Sequence, residues 1–165
     1  MTSYKLFASM PTDLALEILE YAFANDKKLY RTALEAVAQT RKVRAVYLEH
    51  QPRTDRFLTM AATLGRPPLV LAANSLISTW LLKKHTDVLT TFLDALGIKH
   101  DKGVVEDLPK TMADDALKSA VDGLLTKFPP AVVAVYLHAF NDMNEARWAN
   151  LDALLESDPR LKLNG

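Results

Sequence analysis

The residues with the means to do chemistry fall into three groups. The densest is basic: Arg41, Lys42 and Arg44, followed by Arg53 and Arg56. Cations spaced this way on helices can share one face, and guanidinium groups bind carboxylates or phosphates through paired N–H donors. Lys27, Lys28 and Arg31 would widen the same N-terminal surface. The second group is His100-Asp101-Lys102-Gly103 with Glu106 and Asp107, a gathering of titratable side chains of the kind used in proton transfer. The third is His138 and Asp142, whose spacing of four on a helix lets both face one metal ion.

Each group has a plainer explanation. Lys and Arg stems cover apolar surface on solvated helix faces. A polar loop between helices gathers charge without using it. Zinc calls for about three protein ligands, and no second histidine lies near His138. No metal is therefore expected there, and the histidine is read as hydrogen-bonded at the edge of a core.

Motif searches come back negative. The sequence has no GxxxxGK[ST], GxGxxG, HExxH or GxSxG, and no paired ExxH of the di-iron bundles. Cysteine is absent, which removes disulfides, thiolate nucleophiles and Cys-based zinc, and fits a reducing compartment. The chain opens with a single Lys and then acidic residues, unlike a signal peptide, so a cytoplasmic protein is expected. No cofactor is called for, no residue is assigned as catalytic, and an enzyme is the less favoured expectation.

Charge is polarised along the chain. Residues 1–85 hold 12 Lys/Arg against 7 Asp/Glu, while residues 86–165 hold 8 against 13, so the halves cancel to a net charge of zero. Such a chain can associate head to tail, or offer its basic end to an acidic partner.

The elements that must position these residues all read as helix. Glycines number only 5 in 165 residues, and neither Asn-Gly turns nor sustained alternation suggests a sheet. The stretch 67–84 is uncharged from Leu69 to Leu82, with Leu69, Ala73, Leu76, Ile77, Trp80 and Leu81 at helical spacing. Val70 and Leu71 widen its apolar stripe nearly all round, which predicts a central helix buried on several sides. It is too short and too polar to span a bilayer, which takes about 20 apolar residues. Trp80 and Trp148 are both expected in the core.

Around it the sequence predicts helices over 12–24, capped by Thr12, and over 27–39, capped by Asp26. The segment 41–50 either continues that helix or stands alone, ending before Pro52. Further helices follow over 54–64, closed by a left-handed Gly65, and on to Leu96, capped by Thr86 and closed by Gly97. A surface loop then spans 98–110. The next helix starts at Thr111, with Asp114 completing a capping box, and Gly123 inside it suggests a close helix contact. Pro129-Pro130 open a second nearly all-apolar helix, and Asn144 caps the last one before Asp158-Pro159 stops it.

One pattern repeats. Pro67-Pro68 and Pro129-Pro130 lie 62 apart, and the Leu-Asp-Ala-Leu tetrads at 93–96 and 151–154 lie 58 apart. This suggests three-helix units of roughly 60 residues. The expected architecture is one all-α domain over 1–165, with seven to nine helices. They would form either an α-solenoid-like stack of the armadillo/HEAT type or an irregular bundle. The expected function is a helical protein-interaction module that binds a protein partner or its own copy, not a membrane. Two alternatives are nucleic-acid binding through Arg41, Lys42, Arg44, Arg53 and Arg56, and an enzyme or small-ligand pocket beside the 98–111 loop.

Overall fold

The computed structural model describes residues 1–164. Every regular element among them is helical: ten α-helices and two short 3-10 turns, with only an isolated bridge between Asp101 and Val104. The all-α expectation holds, with slightly more helices than the seven to nine expected. Among the described residues no helix is long and apolar enough to cross a membrane. The chain divides into two compact units, 1–80 and 81–163.

The first unit holds α1 (Ser3–Ser9), α2 (Thr12–Asn25), α3 (Lys27–Arg41), α4 (Ala45–Glu49), α5 (Arg53–Leu64) and most of α6 (Val70–Lys84). Its core comes from the apolar stripes of these helices, including Ile18, Leu34, Val37, Met60, Leu76 and Trp80. Phe23, Tyr30 and Phe57 meet edge to face, with ring centroids 5.1 to 5.9 Å apart. Asp26 caps α3 as its sequence position predicts, accepting the Leu29 N–H at 3.0 Å.

Several local expectations are corrected here. Helix α1 was not anticipated, because seven residues carry too little periodicity to stand out. Thr12 is the first helical residue of α2 rather than its cap, a place taken by Pro11. Gly65 is not left-handed: its φ is −73°, and its value is close approach. A Cβ there would lie 3.2 Å from the Ala8 Cβ, tighter than ordinary contact, so the bare position lets α1 pack closely onto the end of α5. The expected helix over 67–84 opens with a 3-10 turn, Pro67–Leu69, before α6. Leu69 of that turn and Ala73, Leu76, Ile77, Trp80 and Leu81 of α6 are buried, but Val70 and Leu71 are exposed, Leu71 by 80 %. The helix is therefore covered on one broad face and not all round.

The second unit holds the last residues of α6, then α7 (Thr86–Ala95), α8 (Asp114–Lys127), α9 (Pro130–Met143) and α10 (Ala149–Ser157). Pro130 starts α9 at a position where a missing N–H costs nothing. Val132 through Leu137 are all buried, so burial outweighs the weak helix propensity of three valines. Phe92, Tyr136, Phe140 and Trp148 pack as an aromatic cluster. Gly97 has the left-handed φ of +68° that closing α7 requires.

The irregular stretch runs past its expected end to Ala113, because α8 begins at Asp114 and Thr111 starts no capping box. It is tied down at the start of α10: the indole N–H of Trp148, just before the helix, donates to the Pro109 carbonyl at 2.9 Å, and Asn150 donates to the Met112 carbonyl at 2.7 Å. Thr86 lies inside α7 and His85 precedes it. Asn144 ends α9 instead of starting α10. The space around Gly123 is open, with nothing within 4 Å of an added Cβ, so no helix contact explains it.

Candidate anion-binding hollow

The basic run begins where α3 ends. Lys42 takes a left-handed conformation, φ 58°, and the chain turns back: the Lys42 N–H donates to the Gln39 carbonyl and the Val43 N–H to the Ala38 carbonyl. This is the Schellman arrangement, in which glycine is the usual residue. With lysine there the sequence shows no punctuation, so 41–50 could not be divided; α3 stops at Arg41 and α4 starts afresh at Ala45. The turn leaves Arg41, Lys42, Val43 and Arg44 exposed in a row.

Helix α5 returns to this turn. Thr63, fully buried, donates its hydroxyl to the Thr59 carbonyl at 2.7 Å and accepts Nη1 of Arg41 at 3.2 Å. Two residues beyond α5 lies Arg66, also exposed. Arg41, Lys42 and Arg66, with Thr40, Tyr47 and Gln51, line a hollow of about 430 Å³. Tyr47 is 59 % exposed. Among the described residues none of Arg41, Lys42, Arg44 or Arg66 forms an ion pair. By contrast Arg31, Arg53, Arg147 and Arg160 each meet a carboxylate. Three unopposed cations on one concave wall can take a carboxylate or phosphate, with the guanidinium groups supplying paired donors.

The five sequence candidates therefore separate. Arg41 and Lys42 belong to the hollow, and Arg44 stands beside it on the turn without lining it. Arg53 turns to Glu20 at 3.6 Å and lies over the Phe23 ring, 5.3 Å from its centroid. Arg56 donates to the Glu49 carbonyl at 3.1 Å and stacks near Phe23 and Phe57. Those two hold the aromatic cluster by cation–π contact and ion pairing. Arg66 was missed because only the return of α5 brings it to the turn, and Tyr47 because its place on α4 shows only once α4 is seen to start afresh after the turn.

The other candidates lie in the second unit. His100 accepts the Gly103 N–H at Nδ1, 3.1 Å, and meets Asp94 through Nε2 at 2.7 Å, so Nε2 carries the proton it donates. Both nitrogens are thus spent on shaping the loop. Glu106 and Asp107 are exposed elsewhere on it. His138 is partly buried in α9, its Nδ1 lacks a hydrogen-bond partner, and burial pushes its pKa down to about 4. Among the described residues no three His, Cys, Asp or Glu gather as a metal site.

Relatives add nothing. No protein-family model, curated protein or solved structure matches this chain.

Proposed function

We propose that this protein is a non-catalytic helical interaction module whose first unit receives a carboxylate-bearing segment of a protein partner. The observation that carries the proposal is the convergence of Arg41, Lys42 and Arg66, without counter-ions, on one hollow. Val43 and Tyr47, exposed apolar groups on the wall of the same hollow, would add contact area beside the charges. In the same proposal, α5–α6–α7 and α8–α9–α10 are two copies of one proline-led three-helix unit, and the cysteine-free chain works in the cytoplasm.

A second reading has one observation in its favour. Tyr47, exposed beside the cations, is the kind of ring on which a nucleic-acid base stacks. Fluorescence anisotropy separates the two. A labelled peptide of Glu and Leu residues and a labelled single-stranded oligonucleotide are each titrated at about 50 and 200 mM salt. Peptide binding that falls about tenfold or more in R41E/R66E supports the protein-binding reading. Oligonucleotide binding with a steep salt slope and loss in Y47A supports the other. No binding of either probe at low salt rejects both.

A further inference from the structure

The second unit has a hollow of opposite sign. About 660 Å³ in volume, it is lined by Glu106, Asp107, Glu145, Lys110, Met143 and Asn144. Three carboxylates face one ammonium, and among the described residues none of the four is ion-paired. Met143 is 65 % exposed at its edge, an adaptable apolar contact. Asn144 is only 4 % exposed; its Oδ1 accepts the Ala146 N–H at 3.0 Å, while its Nδ2 has no partner. A buried amide donor without an acceptor is costly, and a docked main-chain carbonyl is the group that would satisfy it.

We infer that the occupant of this hollow is the Arg41–Arg44 turn of a second copy, so that the chain associates head to tail. This rests on the proposed function, because it names the partner of the same basic surface. The turn offers three unpaired cations within four residues, all exposed, with exposed Val43 among them. The hollow offers three carboxylates, an exposed methionine and a free amide donor. The complementarity follows the charge polarity of the chain, 12 basic against 7 acidic residues in one half and 8 against 13 in the other. Because donor and acceptor are different patches, the contact is heterologous. A head-to-tail pair keeps a free hollow on one copy and a free turn on the other, so association can continue into a ring or a filament.

The test is sedimentation velocity of the full chain at about 20 and 300 mM salt, with circular dichroism confirming the fold of each variant. The expected result is salt-sensitive self-association of the wild type. R41E/R44E and E106K/E145K should each sediment as monomers alone, yet form a 1:1 dimer when mixed, since one intact turn and one intact hollow remain. The milder E106Q/E145Q variant should weaken association about tenfold. Self-association that persists in E106K/E145K and in E106Q/E145Q, or folded variants that do not pair on mixing, overturns the inference. A wild type that binds the Glu/Leu peptide but stays monomeric at low salt also overturns it, leaving the basic hollow intact as a site for another partner. A wild type that neither binds the peptide nor self-associates removes both proposals.

Discussion

Arg41 donates to the hydroxyl of Thr63 across the gap between α3 and α5, at 3.2 Å, and Thr63 is itself fully buried. A flexible guanidinium is thereby held against the wall of the basic hollow before any ligand arrives, which lowers the ordering cost of binding. Thr63→Val keeps the side-chain shape and removes the acceptor. Binding of the Glu/Leu peptide should weaken about fivefold, the worth of one net hydrogen bond, with little change in helical content. Anisotropy titration beside a dichroism spectrum checks this, and unchanged affinity would mean that Arg41 needs no such support.

Lys42 spends conformational energy to sit at the turn. Its φ of 58° is one that L side chains adopt at a cost of about 1 kcal/mol and glycine adopts freely. Lys42→Gly should therefore raise the urea midpoint, with a stability gain of roughly 0.5–1 kcal/mol, while weakening peptide binding through the lost charge. Stability and binding moving in opposite directions would mark a residue kept for its charge rather than for the fold.

Two glycines predict opposite outcomes. Gly65→Ala would place a methyl 3.2 Å from the Ala8 Cβ and 3.3 Å from its Cα, backbone that cannot easily retreat. A loss of about 1–2 kcal/mol is expected. Gly123→Ala meets nothing within 4 Å in the middle of α8 and should stabilise by about 0.5–1 kcal/mol. Paired thermal melts decide both.

His138 sets the acid limb of the stability curve. Its pKa falls from an ordinary 6.5 to about 4 because burial disfavours the cation. The unfolded chain therefore takes up this proton first as pH falls, and stability declines between pH 6.5 and 4. The ring is partly exposed, so the loss should be about 1–2 kcal/mol, less than the whole shift implies. His138→Gln should flatten that window in urea titrations at successive pH values. Asp152 acts lower: burial opposes its charge, but hydrogen bonds from Arg147 and Asn141 outweigh this and hold its pKa below 3.8, so its contribution disappears only below that pH.

Trp148 anchors the long loop through one indole donor on the Pro109 carbonyl. Trp148→Phe preserves an aromatic ring in the cluster but cuts the tie. The freed carbonyl lies on an exposed residue and can find water, so a modest loss of about 1 kcal/mol is expected. Hydrogen exchange should show faster amide exchange confined to 104–113, with α9 still protected.

Periodicity and punctuation made the helical class legible. Apolar residues at 3.6-residue spacing, two proline pairs and Asp26 depend only on local geometry, and α3, α6 and α9 form where those signals stand. Signals that mislead are those whose meaning depends on a neighbour. Gly65 looks like a left-handed cap until Ala8 is seen against it, and Asn144 looks like a start until α9 is seen to reach it. Lys42 carries no mark at all, since nothing local says a lysine will take a glycine's conformation.

The candidate site divides the same way. That Arg41 and Lys42 would be surface cations follows from their charge and their place at a helix end, because ammonium and guanidinium groups stay with water unless paired. Which cations share a wall was settled by the return of α5: it carries Arg66 to the turn, and it carries Arg53 and Arg56 away to Glu20, Glu49 and Phe23. Helical period and charge are properties of a segment, so one strand of text contains them. Concavity and unpaired charge are properties of several segments at once, and exist only after the chain has folded.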